Sequence, residues 1–475
     1  MNNICFKKTG LFFVLLLFVF SLSFAQKKQD GDTVERYIKK RVQELHIPGM
    51  AIAVLQKGKL IKEGYYGFSN LEYNLPVSSK TVFEIASMSK QFTCAGILLL
   101  QQEKKLSVND KLSKYLDTLP VSWKNITLYQ LMSHTSGLRD DWEESNDYFL
   151  SNNTNKKMFA AQKNYPLRYV PGEGFTYGNG PFELGLVIEK VSGKSYAQFM
   201  KERIFDPLGM GSTSIYDNRK IIPYRAAGYV WDDSVQTNGN DISPAAEARG
   251  DVGVIITLRD LIKWDLALRD DRLLNAESRE AMFTPAVLND GTYVSYGFGW
   301  FIYPMFGVIN YDHSGGFRTG FNSDILRIAG KDLDIIILCN QWHAQASFTS
   351  FTIAALVDPS IYLNAAKKPV PDPDTARTHQ LIKIMQRLAN KEWNYEQFYR
   401  HYNFCGADPN DLEGILKDFK GLEYIDSLDL RAHPINLYGK KLTKAVSYKL
   451  IGGGPFCFAF YYTSEGKLAA INFEP

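Results

Sequence analysis

The stretch that organises this sequence is Phe83-Glu84-Ile85-Ala86-Ser87-Met88-Ser89-Lys90-Gln91-Phe92-Thr93, followed by an apolar run from Ala95 to Leu100. It predicts a turn that delivers Ser87 to the first turn of a buried helix. Ser87 and Lys90 are three residues apart, so on a helix they share one face. The helix N-terminus adds unpaired N–H groups and the positive end of the macrodipole, which stabilise an anion. A hydroxyl, an amine and an anion-stabilising backbone are the groups that an acyl-transfer enzyme requires.

The spacing by itself is weak, because Ser464 and Lys467 show it too, in a stretch that reads as a turn. A single Ser-x-x-Lys match is more often structural than catalytic. The significance of Ser87 and Lys90 therefore depends on what the rest of the chain places around them.

The N-terminus predicts an export signal at residues 1–25. Lys7 and Lys8 precede an unbroken apolar run, Leu11 to Phe20, and a small-x-small site that ends at Ala25 follows. The apolar run is shorter than the roughly 20 residues of a membrane span, so we expect cleavage and release into the periplasm or the extracellular space rather than stable membrane insertion.

Composition limits the classes of partner. The formal net charge is +3, and two of the lysines leave with the signal, so the mature chain is near neutral. No basic stripe or nucleic-acid motif occurs, which excludes a polyanion as the expected partner. The seven histidines are scattered without ligand spacing, so neither a metal site nor a cofactor is predicted. The oligomeric state stays open.

The mature cysteines do not form a disulfide framework. Cys94 and Cys339 lie in apolar stretches and are interpreted as buried thiols. Cys405 and Cys457 lie in the same C-terminal region and could pair in an oxidising compartment. Pairing and two separate thiols both remain open.

The order of elements predicts an α+β domain over residues 32–358. A helix from Asp32 to Leu45 precedes a hairpin around Lys57-Gly58, helices occupy the middle, and strands rich in aromatic and β-branched residues run from Tyr296 to Leu338. Strands at both ends with helices between them indicate one antiparallel sheet built from both termini of the domain, plus a helical subdomain.

A second, smaller α+β domain is predicted over residues 375–475. The proline-rich stretch 359–374 makes a stiff polar linker before it. Helical patterns come first, and strand-like runs follow at Leu442 to Ile451, Cys457 to Tyr462 and Leu468 to Phe473. This order resembles the small cone-shaped domains of the nuclear-transport-factor-like group.

Three short motifs stand in chain order: Ser87-x-x-Lys90, Tyr177-x-Asn179 and His313-Ser314-Gly315. With their order and contexts, the chain resembles the serine β-lactamase and penicillin-binding protein superfamily, in the branch of class C β-lactamases, D-alanyl-D-alanine carboxypeptidases, D-aminopeptidases and related esterases. Phrases without a catalytic role agree as well, such as Ile47-Pro48-Gly49-Met50 and Tyr296-Gly297-Phe298-Gly299-Trp300.

The resemblance implies roles for particular residues. Ser87 would be the nucleophile, and Lys90 and Tyr177 would share the proton transfer. Asn179 would hold Lys90 and a substrate amide oxygen, while the triplet with Gly315 would line the substrate. The backbone N–H groups of Ser87 and Gly316 would form the oxyanion hole.

His313 departs from the pattern, because β-lactamases and carboxypeptidases usually carry lysine there. Histidine is mostly neutral at pH 7 and supplies no permanent charge for a substrate carboxylate. This favours a secreted serine hydrolase that acts on an ester, amide or peptide, such as one derived from D-amino acids or the cell wall. Arg318 could restore a carboxylate-binding charge, or it could be a solvated loop arginine.

Two alternatives stay open. One is a β-lactamase or D-alanyl-D-alanine carboxypeptidase, and the other is a catalytically inactive binding or sensing protein on the same fold. His134 likewise has two interpretations, as a ligand or base and as a structural residue at a helix end. The substrate and the role of the C-terminal domain are not determined by the sequence.

Overall fold

The computed structural model describes residues 33–139, 155–178, 180–217, 219–232, 234–239, 250–361, 367–392, 398, 401, 403, 412, 415–452 and 456–474. The predicted signal at 1–25 lies outside these residues. In the part of the chain that is described, no helix has both the length and the hydropathy needed to cross a bilayer.

The strands alternate with helices through the first 360 residues and then dominate the C-terminal region. They are β1 (Gly49–Gln56), β2 (Lys59–Asn70), β3 (Leu75–Pro76), β4 (Val82–Glu84), β5 (Ser214–Ile215), β6 (Tyr229–Asp232), β7 (Val235–Asn238), β8 (Val254–Thr257), β9 (Phe301–Met305), β10 (Val308–Phe317), β11 (Phe321–Ile328), β12 (Leu333–Cys339), β13 (Gly421–Asp429), β14 (Ile435–Leu437), β15 (Lys440–Ile451), β16 (Cys457–Thr463) and β17 (Leu468–Glu474).

The helices lie mainly between β4 and β9. They are α1 (33–44), α2 (Ser89–Gln102), α3 (Leu128–Met132), α4 (Asn155–Gln162), α5 (Gly180–Ser192), α6 (Tyr196–Met200), α7 (Leu258–Ala267), α8 (Ala276–Met282), α9 (Ala346–Val357) and α10 (Thr375–Ala389). A short 3₁₀ turn, Ala86–Met88, leads directly into α2.

The main sheet contains strands from both ends of the first domain, which confirms the prediction. Its order is β3-β2-β1-β12-β11-β10-β9, and every pairing in it is antiparallel. The central pair joins the first strand to the last, with Ile52 opposite Ile337. Both central strands are buried, which is why they read as nearly continuous apolar runs.

Apolar side chains cover both faces of this sheet. Residues of α1 and α9 pack on one face with Ile52 and Ile337. The other face packs against α2, which is buried from Ser89 to Leu100 and carries apolar residues all round. A helix of that composition is stable only inside a core, and here it fixes the position of the Ser87 turn.

One predicted strand begins at a different residue, and two strands were not predicted. The strand predicted from Tyr296 begins at Phe301, because Tyr296 to Trp300 turns back on itself through a single bridge between Tyr296 and Phe301. The structure also adds β13 and β14, which the sequence analysis did not find. Five of the nine residues of β13 are exposed, so its alternation of apolar and polar side chains is poor.

The C-terminal region forms a separate five-stranded sheet in the order β13-β15-β16-β17, with β14 paired to β15. It contacts the first region through Tyr438, whose hydroxyl donates to the carbonyl of Ile302 at 2.7 Å and lies 2.7 Å from Ser295 Oγ. Cys457 is buried, while Cys405 lies outside the described residues, so pairing and two separate thiols stay alternatives.

Candidate active site

The turn that carries Ser87 is held by backbone contacts on both sides. Ile85 donates its N–H to the carbonyl of Val254 at 3.2 Å, and the N–H of Val254 donates to Ser89 Oγ at 2.9 Å. Ala86 has φ of 45°, a conformation that non-glycine residues adopt only when the surroundings enforce it. The turn therefore projects Ser87 from the start of α2, as the sequence predicts.

Lys90 lies one helical turn beyond Ser87 and is 2% exposed. Its Nζ donates to Ser87 Oγ at 3.0 Å and to the carbonyl of Asp251 at 3.3 Å. A buried amine in contact with a half-buried hydroxyl is the arrangement that activates a serine nucleophile. The structure thus brings the two residues of the first motif together.

Tyr177 reaches the same place from the loop before α5. The face of its ring lies 4.9 Å from Lys90 Nζ. The ring also packs 5.6 Å from that of Phe301 and 4.7 Å from that of His134, measured between centroids. Asn179, the other residue of this motif, lies outside the described residues.

His313 lies on β10 with its ring inside the site, 5.9 Å from the ring of Tyr177. Its Nδ1 is 2.6 Å from the carbonyl of Ser314, and its Nε2 is 3.0 Å from the hydroxyl of Tyr296. A carbonyl only accepts, so Nδ1 carries the proton and Nε2 accepts from Tyr296. Burial, with the nearby Lys90 charge adding to it, lowers the pKa of His313 to about 3, so the imidazole is neutral.

Gly315 allows β10 to pass directly beneath the serine turn. A Cβ at this position would lie 2.0 Å from the carbonyl oxygen of Ile85. Ser323, its partner on β11, donates its hydroxyl to the same carbonyl at 3.1 Å. The backbone of Ile85 therefore fixes the position of the third motif relative to the first.

Gly316 and Arg318 lie further along, at the open end of β10. Gly316 is exposed and pairs with Asn322 on β11. The guanidinium of Arg318 stacks over the ring of Trp342, 5.4 Å from its centroid.

Two residues of this site were not assigned to it from the sequence. Tyr296 belongs to a phrase that was treated as structural, yet its hydroxyl fixes the ring of His313. His134 is buried against Tyr177 and Tyr296, and its Nδ1 accepts the N–H of Gly178 at 3.3 Å. Burial lowers the pKa of His134 well below its usual value, with the charge of Lys90 adding to the effect. In the sequence, the only signal for His134 is its position beside a helix end.

The cluster thus holds a hydroxyl in contact with an amine, surrounded by aromatic rings and two neutral imidazoles. Within the described residues, no three His, Cys, Asp or Glu side chains are placed to hold a metal ion. Chemistry at this site can proceed through the serine hydroxyl, which is suited to acyl transfer.

Comparison with known proteins agrees with this geometry. A family model described as Beta-lactamase matches residues 34–357. A penicillin-binding protein of Bacillus subtilis (strain 168) is 32% identical over 320 residues, which cover 63% of this chain and 69% of that protein.

Two further relatives share shorter parts of their own length with the chain. A D-aminopeptidase of Gluconobacter oxydans (strain 621H) is 27% identical over 319 residues, covering 65% of this chain and 58% of the relative. Protein flp of Staphylococcus aureus (strain MRSA252) is 32% identical over 207 residues, covering 42% of this chain and 41% of the relative. The chain therefore spans less than two thirds of both.

Solved structures share the fold. A penicillin-binding protein from Bacillus halodurans superposes with a TM-score of 0.58 at 26% identity, covering 68% of this chain and 98% of that one. The octameric penicillin-binding protein homologue from Pyrococcus abyssi has a TM-score of 0.61 at 21% identity and covers 92% of this chain and 95% of its own.

Proposed function

The chain belongs to the beta-lactamase family and is a serine hydrolase of that type, and on this premise we propose that it works through an acyl-enzyme on Ser87. The contact that carries the proposal is the 3.0 Å distance between Lys90 Nζ and Ser87 Oγ in a buried setting. A serine hydroxyl is a weak nucleophile until a neighbouring group takes its proton.

The proposed first step forms a bond from Ser87 Oγ to the substrate carbonyl carbon while the Oγ proton passes to the pair formed by Lys90 and Tyr177, whose ring faces Lys90. The pair then delivers that proton to the leaving group. The bond to the leaving group then breaks and leaves the acyl chain on Ser87. Water hydrolyses this ester and restores the free hydroxyl.

Charge develops on the carbonyl oxygen during both steps. We assign its stabilisation to the backbone N–H groups of Ser87 and Gly316, at the start of α2 and the exposed end of β10. Each such donor is worth about 2.7–4 kcal/mol of the barrier. Asn179 would orient Lys90 and a substrate amide oxygen beside them.

We propose ester, amide or peptide substrates that do not require a carboxylate contact at position 313. His313 is neutral because burial and Lys90 lower its pKa to about 3, so it offers no cation there. Arg318 lies one residue beyond the end of β10 and stacks on Trp342. Peptides derived from D-amino acids or the cell wall fit this description, and one relative is named a D-aminopeptidase.

We also propose that the protein is exported before it acts. The support is the sequence alone: two lysines, an apolar run from Leu11 to Phe20 and a small-x-small site at Ala25. N-terminal sequencing of the protein secreted by its host cell would give a mature end at Gln26 if the proposal holds and an intact N-terminus if it does not.

A substrate panel tests the proposed activity. The panel holds a short-chain p-nitrophenyl ester, a chromogenic cephalosporin and D-alanyl peptides with a free and with an amidated C-terminus, each assayed beside Ser87→Ala. We expect Ser87-dependent turnover of the ester and the amidated peptide. Preference for the cephalosporin or the free carboxylate would favour a β-lactamase or carboxypeptidase, and no Ser87-dependent turnover would favour an inactive binding protein.

A further inference from the structure

A pocket of about 450 Å³ opens at one end of the C-terminal sheet, and none of the motif residues lines it. Its volume lies within the range of small-molecule sites. It is lined by α10, β13, β15, β16 and the turn after β16, and its charged residues are Arg377, Asp429, Arg431 and Lys444.

The floor of this pocket is a row of side chains that crosses three strands. Asp429 on β13 is opposite Lys444 on β15, and Lys444 is opposite Tyr462 on β16. Residues that pair directly share a face of the sheet, so these three side chains lie side by side. Arg377 of α10 covers the row, with its guanidinium 5.6 Å from the centroid of the Tyr462 ring.

The cations of the pocket exceed its carboxylates. Arg377 pairs with Asp374, and Arg431 pairs with Asp429. Lys444 is half-buried and lies directly opposite Asp429, the carboxylate with which Arg431 already pairs. One carboxylate thus faces two cations, so the pocket keeps one positive charge in excess. A half-buried charge is screened less by salt than an exposed one.

A buried hydroxyl at the same place also lacks a partner. Tyr462 is 9% exposed, and its hydroxyl has no hydrogen-bond partner among the described residues. Its neighbour Tyr448 differs, because the hydroxyl of Thr378 donates to it at 2.9 Å. A buried donor left unsatisfied costs about 1–3 kcal/mol, a cost that a bound acceptor would remove.

We propose that this pocket binds a small organic or inorganic oxyanion, a carboxylate or a phosphate. Lys444 supplies the charge, the Tyr462 hydroxyl donates a hydrogen bond, and the hydroxyls of Ser427, Thr443 and Ser464 line the same space. The site is independent of the reaction proposed at Ser87.

The test measures binding to the full chain by titration calorimetry at constant ionic strength. The probes are benzoate, inorganic phosphate and neutral benzamide, which has the ring of benzoate without its charge. We expect saturable one-to-one binding of benzoate, phosphate or both, with a dissociation constant in the millimolar range or tighter, and none of benzamide. Benzoate and phosphate distinguish a carboxylate site from a phosphate site.

Matched variants locate the binding. Lys444→Gln should weaken it at least fivefold and Tyr462→Phe at least twofold, whereas Lys441→Gln, an exposed lysine of the same strand outside the pocket, should leave it unchanged. Ser87→Ala should also bind normally. The proposal is overturned if neither anion binds saturably, if benzamide binds as well as benzoate, or if Lys441→Gln weakens binding as much as Lys444→Gln.

Discussion

The chain contains two Ser-x-x-Lys pairs, and their surroundings are opposite. Ser87 and Lys90 lie where a strained turn enters a buried helix, and Lys90 is 2% exposed with its Nζ 3.0 Å from the serine oxygen. Ser464 and Lys467 lie in the turn between β16 and β17. The Lys467 side chain is 77% exposed and pairs with Glu465 at 2.8 Å.

The comparison shows that spacing places two groups near each other but does not make them reactive. At Lys90 the only described hydrogen-bond acceptors are Ser87 and the carbonyl of Asp251, so the amine is directed at the hydroxyl. At Lys467 water and a carboxylate compete for the amine, and a surface pair of this kind contributes little. Matched variants in the two regions can test this difference.

The largest difference should appear when each lysine is replaced by glutamine. Lys90→Gln removes the group proposed to take the proton of Ser87, so kcat/KM should fall by about 10²–10⁴-fold. Lys467→Gln should change kcat/KM by less than about twofold because its exposed pair contributes little. Ester hydrolysis measures both. Similar losses, or an unfolded Lys90→Gln shown by circular dichroism, would remove the support for a catalytic Lys90.

A glycine-to-alanine pair tests the packing under each serine. Gly315→Ala places a Cβ 2.0 Å from the Ile85 carbonyl, and overpacking against backbone should cost about 3 kcal/mol of unfolding free energy. Gly466→Ala meets nothing within 4 Å but has φ of 76°, so the strain should cost about 1 kcal/mol. Urea unfolding measures both. Equal costs would mean that β10 does not press on the Ser87 turn.

Two tyrosine hydroxyls provide a smaller contrast. Tyr296→Phe leaves Nε2 of His313 buried without its donor, which should cost about 1–2 kcal/mol of stability. Tyr462→Phe removes a buried hydroxyl that has no partner among the described residues, so without added anion the unfolding free energy should rise, by about 1 kcal/mol. Urea unfolding of both variants measures the change in unfolding free energy. A loss of stability in Tyr462→Phe as large as that in Tyr296→Phe would contradict the comparison.

The stability of the first region should depend on pH through His313. The pKa of His313 is about 3 in the folded chain, below the ordinary value near 6.5, so its contribution is complete above pH 6.5 and is lost as the pH falls toward 3. Wild type should lose up to about 1.4 kcal/mol per pH unit more than His313→Asn over that interval. Parallel curves of unfolding free energy for wild type and His313→Asn from pH 7 to pH 4 would show that the folded protein protonates the His313 ring as readily as the unfolded chain does.

The sequence predicted the architecture of the first region well because its signals are strong. The continuous apolar runs of β1 and β12, the hairpin at Lys57-Gly58 and the apolar run from Ala95 to Leu100 in α2 each predict one kind of element. The placement of the motif residues then followed from their positions along the chain relative to these elements. Ser87, Lys90, Tyr177 and His313 are brought together as the resemblance implied.

What the sequence could not predict depends on contacts between distant segments. The tautomer and neutrality of His313 require the hydroxyl of Tyr296 and the depth of burial, neither of which is local. The strand β13 was missed because its exposed residues break the alternation. The charged pocket was missed because Arg377 and Tyr462 are far apart in sequence and meet only across the folded sheet.

The most direct test of the account is covalent labelling with a fluorophosphonate, followed by intact-mass analysis and peptide mapping. It compares wild type, Ser87→Ala and Ser464→Ala at equal concentration. The account predicts one adduct on wild type and on Ser464→Ala, mapped to the peptide that contains Ser87, and none on Ser87→Ala. An adduct that persists in Ser87→Ala, or turnover of substrate without any label on Ser87, would contradict it.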